Sequence, residues 1–368
     1  MRLFILSDLS SIHTKRWVSS LSERGIHIFL FGLRRDDSDF YTIFENVTIF
    51  NTTHTNQLKN RTANGSLEKL KYLTVLKVLK KKIKDFQPDI LHAHYASSYG
   101  LLGALSCFKP YIISIWGSDV YEFPNVSFIH KFILKYSFKK ADKLLSTSLI
   151  MAKEARKYTD KPISITPFGV DVSLLKKGIR LNRDNKEIII GNVKTLSPKY
   201  GIDVLIQSFK IVLEKNPNLD LFLEIIGEGE EKDNLIQLCQ KLNIAKRVRF
   251  LGKIENYLLP AYYNSFLVSV SVLNSESFGV VAVEAMACEC PVVVSDADGF
   301  TEVVVNNETG IIVPKKNVDA TAEAIQQFID NPKLRDKMGK EGRKRVEKLY
   351  NWDDNVEQMM VIYRTILY

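Results

Sequence analysis

Cysteine is scarce in this chain, with four residues among 368. No two of them have the C-x-x-C spacing of redox and zinc motifs. Three of the four lie in apolar stretches with helix or strand character. We therefore predict reduced, buried thiols rather than disulfide bonds. The four residues are Cys107, Cys239, Cys288 and Cys290.

Low-complexity tracts and long apolar runs are also absent. The composition, 45% hydrophobic and 25% charged, excludes collagen-like, mucin-like and wholly disordered chains. No apolar run approaches the roughly 18 residues that span a bilayer. Residues 3–6 are apolar but have the length of a strand rather than of a signal peptide. We therefore expect a cytosolic protein.

Acidic residues are sparse in the first half of the chain. Residues 1–175 contain 25 Lys and Arg against 15 Asp and Glu, a net charge of +10. Residues 176–368 contain 26 against 27, a net charge of −1. The basic excess is concentrated in residues 69–84 and 130–143. Such amphipathic stretches attract acidic surfaces, including anionic membranes, although solvated helix faces have the same pattern.

Short runs rich in Val, Ile, Leu and Phe alternate with stretches of helical periodicity along the whole chain. This alternation is typical of βαβ units and of parallel sheets covered by helices on both faces. In the first half we predict strands at residues 2–6, 26–31, 89–91, 111–115, 143–147 and 163–166. In the second half we predict strands at residues 187–192, 219–226, 247–250, 267–272, 291–295 and 311–313.

A polar stretch, residues 171–186, separates the two series and has the character of an interdomain linker. We therefore predict an α/β fold with two doubly wound, Rossmann-like domains, residues 1–172 and 173–350. Ligands of such sheets bind at the carboxyl ends of the strands, and we expect the site in a cleft between the domains. Residues 351–368 have helical spacing and are predicted to pack back toward the first domain.

The strongest local signal is NSESFGVVAVEAMAC, residues 274–288. It follows a predicted strand and places Glu276 in a loop, Gly279 at a turn and Glu284 in an apolar helix. The amides at such a helix start, with the helix dipole, suit a phosphate group. An acid on an apolar helix is costly unless it is satisfied. Sugar hydroxyls would satisfy Glu284, and so would a core Arg or a neighbouring helix end.

Two further segments follow predicted strands of the second domain. The loop GNVKTLSPKYGID, residues 191–203, brings Lys194 and Lys199 to a strand end, where two ammonium groups would neutralise a diphosphate. Solvated surface lysines are the alternative. The segment EIIGEGE, residues 224–230, ends a strand in G-x-G, which allows either close approach of a ligand or a tight strand-to-helix turn.

Taken together, these segments resemble the retaining family-4 glycosyltransferases, which have the GT-B fold. The run SESFGVVAVEAMA resembles the E-x7-E signature of that family. Further segments occur in the family's order: ERGIHIFLF, DILHAHYA, WGSDV, PFGVD, VKTLSPKYGID, EIIGEGEE, RVRFLGK and TEVVVNNETGIIVP. The resemblance covers nearly the whole chain and rests on the ordered set of segments, with WGSD typical of one branch.

The resemblance implies a metal-independent transferase without a cofactor, whose donor substrate is a nucleoside diphosphate sugar. A UDP-sugar is favoured over a GDP-sugar. Glu284 would hold the ribose hydroxyls, Glu276 the transferred sugar, and Lys194 and Lys199 the diphosphate. Many members have Arg in place of Lys194, and Lys keeps the charge but loses the bidentate geometry. The implied donor-binding residues are Gly191, Gly227, Lys253, Ile254, Ser277, Phe278, Gly279, Val280 and Glu284, with the base near Gly227, Lys253 and Ile254.

The first domain would then bind the acceptor, a saccharide that we expect to be lipid-linked. Many family members have a glycine-rich loop after the first strand. Here a glycine-free loop contains His13, Lys15 and Arg16, which suits an acidic or phosphate-bearing acceptor, although a polar helix start has the same composition.

Where many family members have a His-Gly motif at the donor sugar, this chain has Trp116 and Gly117. Trp116 cannot accept a proton. Asp119 is our first candidate to replace that His as a catalytic group, and His94 is the second. A strand-end histidine satisfied by the backbone is the alternative for His94.

Three short motifs would suit a metal ion. D-x-D occurs at residues 37–39 and 296–298, but it is too short to be specific, and Asp296 precedes Gly299 after a strand, which favours a turn. His92 and His94 lack further ligands at suitable spacing. We predict no metal site.

The favoured hypothesis is a retaining glycosyltransferase of surface polysaccharide or glycan biosynthesis. Its partners would be the donor, the lipid-linked saccharide and an anionic membrane surface that contacts residues 69–84 and 130–143. An epimerase or hydrolase with the same fold would turn over the donor without an acceptor. A nucleic-acid-binding protein is the weakest hypothesis, because the chain lacks a binding motif and its aromatic residues are not interleaved with the basic runs.

Overall fold

A computed structural model describes residues 1–33, 39–52, 75–182, 184 and 186–368. The chain divides into two compact units, the first formed by Met1–Pro167 with Val356–Tyr368 and the second by Phe168–Asn355. Each unit contains one sheet, and every strand pairing that the structure describes in these sheets is parallel. The predicted α/β class with two doubly wound domains is confirmed.

The strands of the described residues are β1 (Arg2–Leu6), β2 (His27–Gly32), β3 (Val47–Asn51), β4 (Ile90–His94), β5 (Tyr111–Ile115), β6 (Lys143–Ser146), β7 (Ile163–Ile165), β8 (Ile188–Val193), β9 (Leu221–Ile226), β10 (Val248–Gly252), β11 (Phe266–Ser271), β12 (Val292–Ser295) and β13 (Ile311–Val313). The helices are α1 (Ile12–Glu23), α2 (Leu76–Phe86), α3 (Ser98–Ser106), α4 (Ser118–Tyr121), α5 (Phe128–Lys140), α6 (Leu149–Ala155), α7 (Ile202–Lys215), α8 (Lys232–Lys241), α9 (Leu259–Ser265), α10 (Val280–Ala287), α11 (Asp298–Val303), α12 (Val318–Asp330), α13 (Pro332–Leu349) and α14 (Trp352–Leu367). None of these helices is long and apolar enough to cross a membrane.

The sheet of the first unit has the order β3-β2-β1-β4-β5-β6-β7. Its central strands β4 and β5 are buried along their whole length, as expected for a parallel sheet with helices on both faces. The order reverses between β1 and β4. A doubly wound sheet opens a crevice at such a reversal, beyond the carboxyl ends of the two strands.

The second unit repeats this arrangement with the order β10-β9-β8-β11-β12-β13. Here the order reverses between β8 and β11, which pair with each other. The loops that follow these two strands are therefore neighbours at one edge of the sheet. They are the loop with Lys194 and the loop with Glu276.

The sequence predicts twelve of these strands, and β1, β5 and β13 agree to the residue. It misses β3, which pairs with β2 alone at the edge of its sheet. The residues of β3 are only half-buried or exposed. The strand therefore lacks the dense apolar run that identifies the central strands.

The chain enters the second unit at Phe168, within the segment predicted for the first domain. The guanidinium of Arg343 in α13 donates to the carbonyl oxygens of Val172, Leu175 and Ala287. These bonds attach the start of the predicted linker, residues 171–186, to the second unit.

The last helix, α14, contributes residues 356–368 to the first unit. Arg24 of α1 forms a hydrogen-bonded ion pair of 2.8 Å with Glu357. Gln358 donates to the carbonyl oxygen of Ile165. The Tyr363 hydroxyl lies 2.7 Å from Nδ1 of His92. An ion pair, a hydrogen bond to the backbone and a buried side-chain hydrogen bond therefore attach this helix to the first unit.

Three of the four cysteines, Cys239, Cys288 and Cys290, are buried, Cys107 is exposed, and all four are free thiols. The prediction of reduced thiols is therefore confirmed, and that of burial is confirmed for three of them. Two predicted features lie partly outside the described residues. They are the D-x-D motif at residues 37–39, of which only Asp39 is described, and residues 69–74 of the first basic stretch.

Candidate functional site

An ion pair lies at the point where the strand order of the second unit reverses. Nζ of Lys194, in the loop after β8, is 2.7 Å from Oε2 of Glu276, in the loop after β11. The two side chains are 17% and 13% exposed. Residues 82 positions apart are therefore brought into contact by the adjacency of β8 and β11. The structure places both predicted residues at the same site.

The second carboxylate oxygen of Glu276 faces its own loop. Oε1 accepts hydrogen bonds from the amides of Ser277 at 2.9 Å and Phe278 at 3.4 Å. Burial pushes the pKa of Glu276 upward, but Lys194 and these two amides outweigh burial, and the net pKa is lowered. Glu276 is therefore a carboxylate at neutral pH, and it neutralises Lys194.

The ring of Tyr200 lies beside both lysines of the loop. Its ring centre is 4.7 Å from Nζ of Lys194 and 5.0 Å from Nζ of Lys199. An aromatic face stabilises ammonium groups at such distances. The two lysines therefore contact the same aromatic ring, a partner that the sequence analysis did not identify.

Helix α10 begins at the predicted phosphate-binding turn. Gly279 precedes it with φ +99°, and a Cβ there would lie 2.8 Å from the ring of Phe300. The first amide bonded back to the turn is that of Ala282, which donates to the carbonyl oxygen of Gly279. The amides at the start of a helix have no partner within the helix, so those of Val280 and Val281 suit an anion.

Glu284 lies about one turn beyond the start of α10 and is hydrogen-bonded to a tyrosine. The hydroxyl of Tyr263, in α9, donates to Oε2 of Glu284 at 2.9 Å. Tyr263 is buried, and burial together with Glu284 holds its pKa well above the usual range. The pKa of the neighbouring Cys288 thiol is raised to about 12, mainly by burial and also by Glu284. Tyr263 therefore orients Glu284, a partner that the sequence analysis did not find.

The two glycines after β9 pack against the lysine loop. A Cβ on Gly227, which has φ +140°, would lie 2.0 Å from the carbonyl oxygen of Lys194. A Cβ on Gly229 would lie 2.1 Å from that of Leu196. The backbone of the loop that carries Lys194 thus lies directly against these two glycines. Close approach of a ligand to Gly227 stays a prediction.

Three more predicted donor residues lie near this edge. The amide of Gly227 donates to the carbonyl oxygen of Gly252, which immediately precedes Lys253 and Ile254. The proposed base-binding residues are therefore neighbours. Gly191 is different, because it lies inside β8 and a Cβ there would meet the ring of Phe266 at 2.1 Å. Gly191 therefore has a packing function, and its contact with the donor stays a prediction.

In the first unit an aromatic cluster occupies the corresponding reversal between β1 and β4. The ring of Trp116 lies 4.4 Å from that of His94, 5.5 Å from that of Tyr95 and 5.8 Å from that of His13. Tyr95 adopts a left-handed backbone with φ +74°, a conformation that is costly for a tyrosine and is concentrated at functional sites. His13 and His94, both predicted on the acceptor side, are thus brought together around Trp116.

Asp119 is held by backbone amides, and the catalytic function predicted for it stays a prediction. The side chain is buried, and its oxygens accept the amides of Ala96 and Gly117 at 2.8 Å and that of Trp116 at 3.3 Å. Burial raises its pKa, and these amides only partly offset the rise. The carboxylate is therefore hydrogen-bonded to three backbone amides, and it positions the loop that contains Trp116. Asp119 is the second residue of the short helix α4. An acidic residue at a helix start commonly accepts hydrogen bonds from backbone amides, and this position is the sequence feature that indicates the observed contacts.

Lys15 and Arg16 lie on the first turns of α1, beside His13. Nζ of Lys15 is 5.4 Å from the ring centre of Phe40. The charge of Arg16 adds to burial in lowering the pKa of His13 to about 4. His13 is therefore neutral at physiological pH, and Lys15 and Arg16 supply the positive charge. The three residues lie in a polar helix start, the stated alternative, and not in a loop.

Two buried histidines, His92 and His94, continue from the aromatic cluster into the sheet. His92 lies between the hydroxyls of Tyr363 at 2.7 Å and Ser114 at 2.8 Å. His94 lies 3.1 Å from the hydroxyl of Ser7. Burial lowers the pKa of His92 to about 3, and burial with the nearby histidines lowers that of His94 well below its usual value. Both rings are neutral in the folded protein, in a side-chain network that does not match the backbone-bonded alternative for His94.

We expect the stability of the first unit to fall in acid because of these two histidines and of His13, whose pKa is lowered as well. Their folded pKa values are depressed, so the unfolded state takes up more protons as pH falls below 6.5, the ordinary histidine value. The free energy of unfolding should drop by about 2 kcal/mol per histidine between pH 7 and pH 5. Urea unfolding at both pH values measures this drop. His92→Asn should remove about a third of the total drop, because three histidines contribute to it, and an unchanged pH dependence in that variant would contradict the assignment.

No group of three or more His, Cys, Asp and Glu in the described part of the chain is arranged to hold a metal ion. The D-x-D at residues 296–298 forms the turn before α11. Oδ1 of Asp296 accepts the amide of Lys315, and the amide of Gly299 donates to the carbonyl oxygen of Glu276. This turn is therefore hydrogen-bonded to the loop that contains Glu276.

Two family models match the chain. Residues 177–345 match the model described as "Glycosyl transferases group 1", and residues 2–148 match "Glycosyl transferase 4-like". An uncharacterised glycosyltransferase of Methanocaldococcus jannaschii is 27% identical over 97% of this chain and 94% of its own. The capsular polysaccharide biosynthesis glycosyltransferase CapM of Staphylococcus aureus is 30% identical over 64% of this chain and 66% of its own.

Solved structures share the fold over the full length. Sucrose-phosphate synthase from Thermosynechococcus elongatus superposes with a TM-score of 0.86, at 22% identity, over 100% of this chain and 99% of its own. Anabaena HepE in complex with UDP superposes with a TM-score of 0.79, at 16% identity, over 99% of each chain. These neighbours establish the predicted GT-B fold.

Proposed function

This chain belongs to the group 1 glycosyltransferases, and on that premise we propose that it moves a sugar from a nucleoside diphosphate sugar to a saccharide acceptor, with retention of anomeric configuration. The observation that carries the proposal is the contact between Lys194 and Glu276 at the reversal point of the second sheet. This contact places a cation and a carboxylate beside the start of α10, where a doubly wound sheet binds nucleotides.

The donor would lie along this edge in a definite order. Its diphosphate would meet Lys194, Lys199 and the first amides of α10, and Glu276 would contact the hydroxyls of the transferred sugar. Glu284, oriented by Tyr263, would bind the ribose. A UDP-sugar is the favoured donor, and the HepE structure that shares this fold contains UDP.

Catalysis in this arrangement would be electrostatic. Negative charge builds on the leaving diphosphate as the glycosidic bond lengthens, so cations and amides fixed beside it stabilise the transition state more than the ground state. The proposal includes no metal ion, because two lysines and a helix start supply the positive potential. It also includes no enzymic nucleophile: the acceptor would attack from the side of the leaving phosphate, and a trapped covalent glycosyl-enzyme would contradict this mechanism.

The acceptor would bind at the carboxyl edge of the first sheet, beside His13, His94 and Trp116. Lys15 and Arg16 give this edge positive charge, which suits the phosphate of a lipid-linked saccharide. CapM, a relative named for capsular polysaccharide biosynthesis, supports an acceptor of that kind. The proposed setting is therefore surface polysaccharide or glycan synthesis.

A thermal-shift panel tests the donor site first. UDP, GDP, ADP and their common sugar conjugates are compared, each with and without EDTA. A ligand at about 100 times its dissociation constant adds roughly 2.7 kcal/mol of apparent stability. We expect stabilisation by one base family that is unchanged by EDTA. Stabilisation that EDTA abolishes would overturn the metal-independent site, and no stabilisation by any of them would overturn the donor site.

Product analysis then separates transfer from its alternatives. With the stabilising donor, sugar release that does not depend on an acceptor would indicate a hydrolase, and isomerised donor would indicate an epimerase. We expect turnover that depends on an added saccharide acceptor. The proton NMR coupling of the new anomeric centre shows whether the configuration is retained.

A further inference from the structure

Helix α5 carries a second apolar surface in addition to the one that packs on the sheet. Its inward residues are buried, among them Ile133, Leu134 and Phe138. Phe128 and Phe132 point the other way and are 82% and 68% exposed. Residues four apart lie one above the other on a helix, so the two rings form one outward ridge. Contiguous exposed apolar surface of this kind marks an interaction site.

Two more apolar side chains widen this ridge. Val126, just before the helix, is 49% exposed, and Ile129 is 36% exposed. We name the surface of Val126, Phe128, Ile129 and Phe132 the α5 patch. It lies at the first half of the helix, and the second half carries the charge.

Lysines border the α5 patch. Lys131, Lys135, Lys139 and Lys140 are all exposed, and α5 contains no Asp or Glu. Lys131 and Lys135 each follow an exposed Phe by three positions and therefore lie on the same side of the helix as the two rings. The outward face of α5 is therefore aromatic and cationic at once.

Helix α2, the other basic helix of this unit, has no exposed aromatic side chain among its described residues. Its Leu79 and Ile83 are buried against the core, and its exposed apolar side chain is Val78, at 38%. The lysines of α2 would attract an anionic surface, but no large apolar group on its described residues could enter one. The structure thus distinguishes the two basic stretches, residues 69–84 and 130–143, although both are rich in lysine.

The topology fixes where the α5 patch lies. Helix α5 connects β5 to its parallel neighbour β6, so it runs antiparallel to the strands and begins at their carboxyl edge. Phe128 is at that beginning. The loop that follows β4, with His94, and the loop that follows β5, with Trp116, end at the same edge.

We propose that the α5 patch inserts into the interface of an anionic lipid bilayer, with Phe128 and Phe132 among the acyl chains and Lys131 and Lys135 against the headgroup phosphates. Apolar insertion and electrostatic attraction are the two signals that stable peripheral binding requires. A second copy of the chain fits this surface poorly, because two α5 helices face to face would oppose lysine to lysine.

Docking through α5 does not depend on the enzymatic activity. Its consequence does rest on the proposed function: an α5 patch in the membrane would hold the acceptor edge of the first sheet close to the bilayer surface. A lipid-linked saccharide could then reach that edge without leaving the membrane. Vesicle binding and nucleotide binding are measured separately, so failure of one leaves the other result standing.

Co-sedimentation of the full chain with vesicles tests the proposal. Phosphatidylcholine vesicles with and without phosphatidylglycerol are compared at low and high salt. We expect binding to the anionic vesicles that weakens with salt. The double variant Phe128→Ser/Phe132→Ser should bind them at least about tenfold more weakly, and Lys131→Gln/Lys135→Gln should lose about fivefold per lysine.

Matched controls come from the second unit. Tyr257→Ser/Leu258→Ser removes two other exposed apolar side chains, and Lys337→Gln/Lys340→Gln removes two other exposed lysines of α13. Both controls should bind vesicles like the unaltered protein. Equal vesicle binding by the Phe128→Ser/Phe132→Ser variant would overturn the proposal. So would a shift from dimer to monomer in that variant with no vesicle binding by either form, which would make the α5 patch an interface between copies.

Discussion

Lys194→Ala is expected to lower kcat/KM about 100- to 1000-fold, the loss that follows removal of one preorganised charge donor from a transition state. The ammonium group is held by Glu276 and by the ring of Tyr200, so it is in place before the donor binds and costs no reorganisation. The loss should fall mainly on kcat, because charge on the leaving diphosphate is greatest in the transition state. Steady-state kinetics with the stabilising donor measure both parameters.

Three companion variants show whether the effect is chemical. Lys194→Arg keeps the charge and should recover most of the activity. Lys215→Ala removes an exposed lysine at the end of α7 and should have no effect. Lys194→Ala/Glu276→Gln removes the carboxylate left unpaired by the single change. Recovery of stability in the double variant assigns the loss of stability in Lys194→Ala to the unpaired carboxylate, and turnover by Lys194→Arg but not by Lys194→Ala shows that the loss of activity follows the charge. A kcat/KM within threefold of the unaltered protein in Lys194→Ala would refute the assignment.

The same ion pair predicts how Glu276 responds. Burial alone pushes the pKa of Glu276 upward, and Lys194 is the largest of the opposing influences. Without the lysine, the carboxyl should take up a proton at higher pH. Loss of one partner from a buried pair costs up to about 3 kcal/mol, less here because both side chains keep some exposure. The stability of the second unit in Lys194→Ala should therefore recover as pH falls toward the raised pKa.

Sequence patterns predict the fold well wherever burial is continuous. Strands β1, β5 and β13 are dense apolar runs with clear limits, so their ends agree with the structure to the residue. Strand β3 is an edge strand whose residues are at most half-buried, and its pattern is too weak to detect. The boundary between the units depends on Arg343, whose contacts with residues 172 and 175 are not visible in local composition.

The candidate site is predictable as a set of loops but not as a set of contacts. The reversal rule for doubly wound sheets places Lys194 and Glu276 at one edge. The rule does not say that they pair, that Tyr200 lies beside Lys194, or that Tyr263 bonds to Glu284. The first and the last of these contacts join residues that are distant in sequence. For Asp119, likewise, the local sequence does not reveal that three backbone amides donate to its carboxylate, and its catalytic function stays a prediction.

Gly227→Ala is expected to have an effect as large as loss of the lysine itself, although Gly227 carries no functional group. A Cβ at this position would lie 2.0 Å from the carbonyl oxygen of Lys194 and 2.8 Å from its carbonyl carbon. Backbone atoms cannot yield as a flexible side chain can, so the Lys194 loop must move. The backbone φ of +140° is itself unfavourable for alanine. We expect the free energy of unfolding to fall by about 3 kcal/mol and kcat/KM by about 100-fold, as a catalytic group is displaced by about 1 Å.

Two other glycines separate the causes of that effect. Gly178→Ala, in the same unit, would place a Cβ no closer than 4.0 Å to any atom and should change neither stability nor activity. Gly25 has φ +76° with nothing within 4 Å of the added Cβ, so Gly25→Ala isolates the backbone cost of about 1 kcal/mol. Urea unfolding and kinetics of the three variants decide the question. If Gly227→Ala resembles Gly25→Ala and keeps full activity, the contact with Lys194 does not position the lysine; a larger loss of stability together with lost turnover means that the strand-end glycine sets the geometry of the charge.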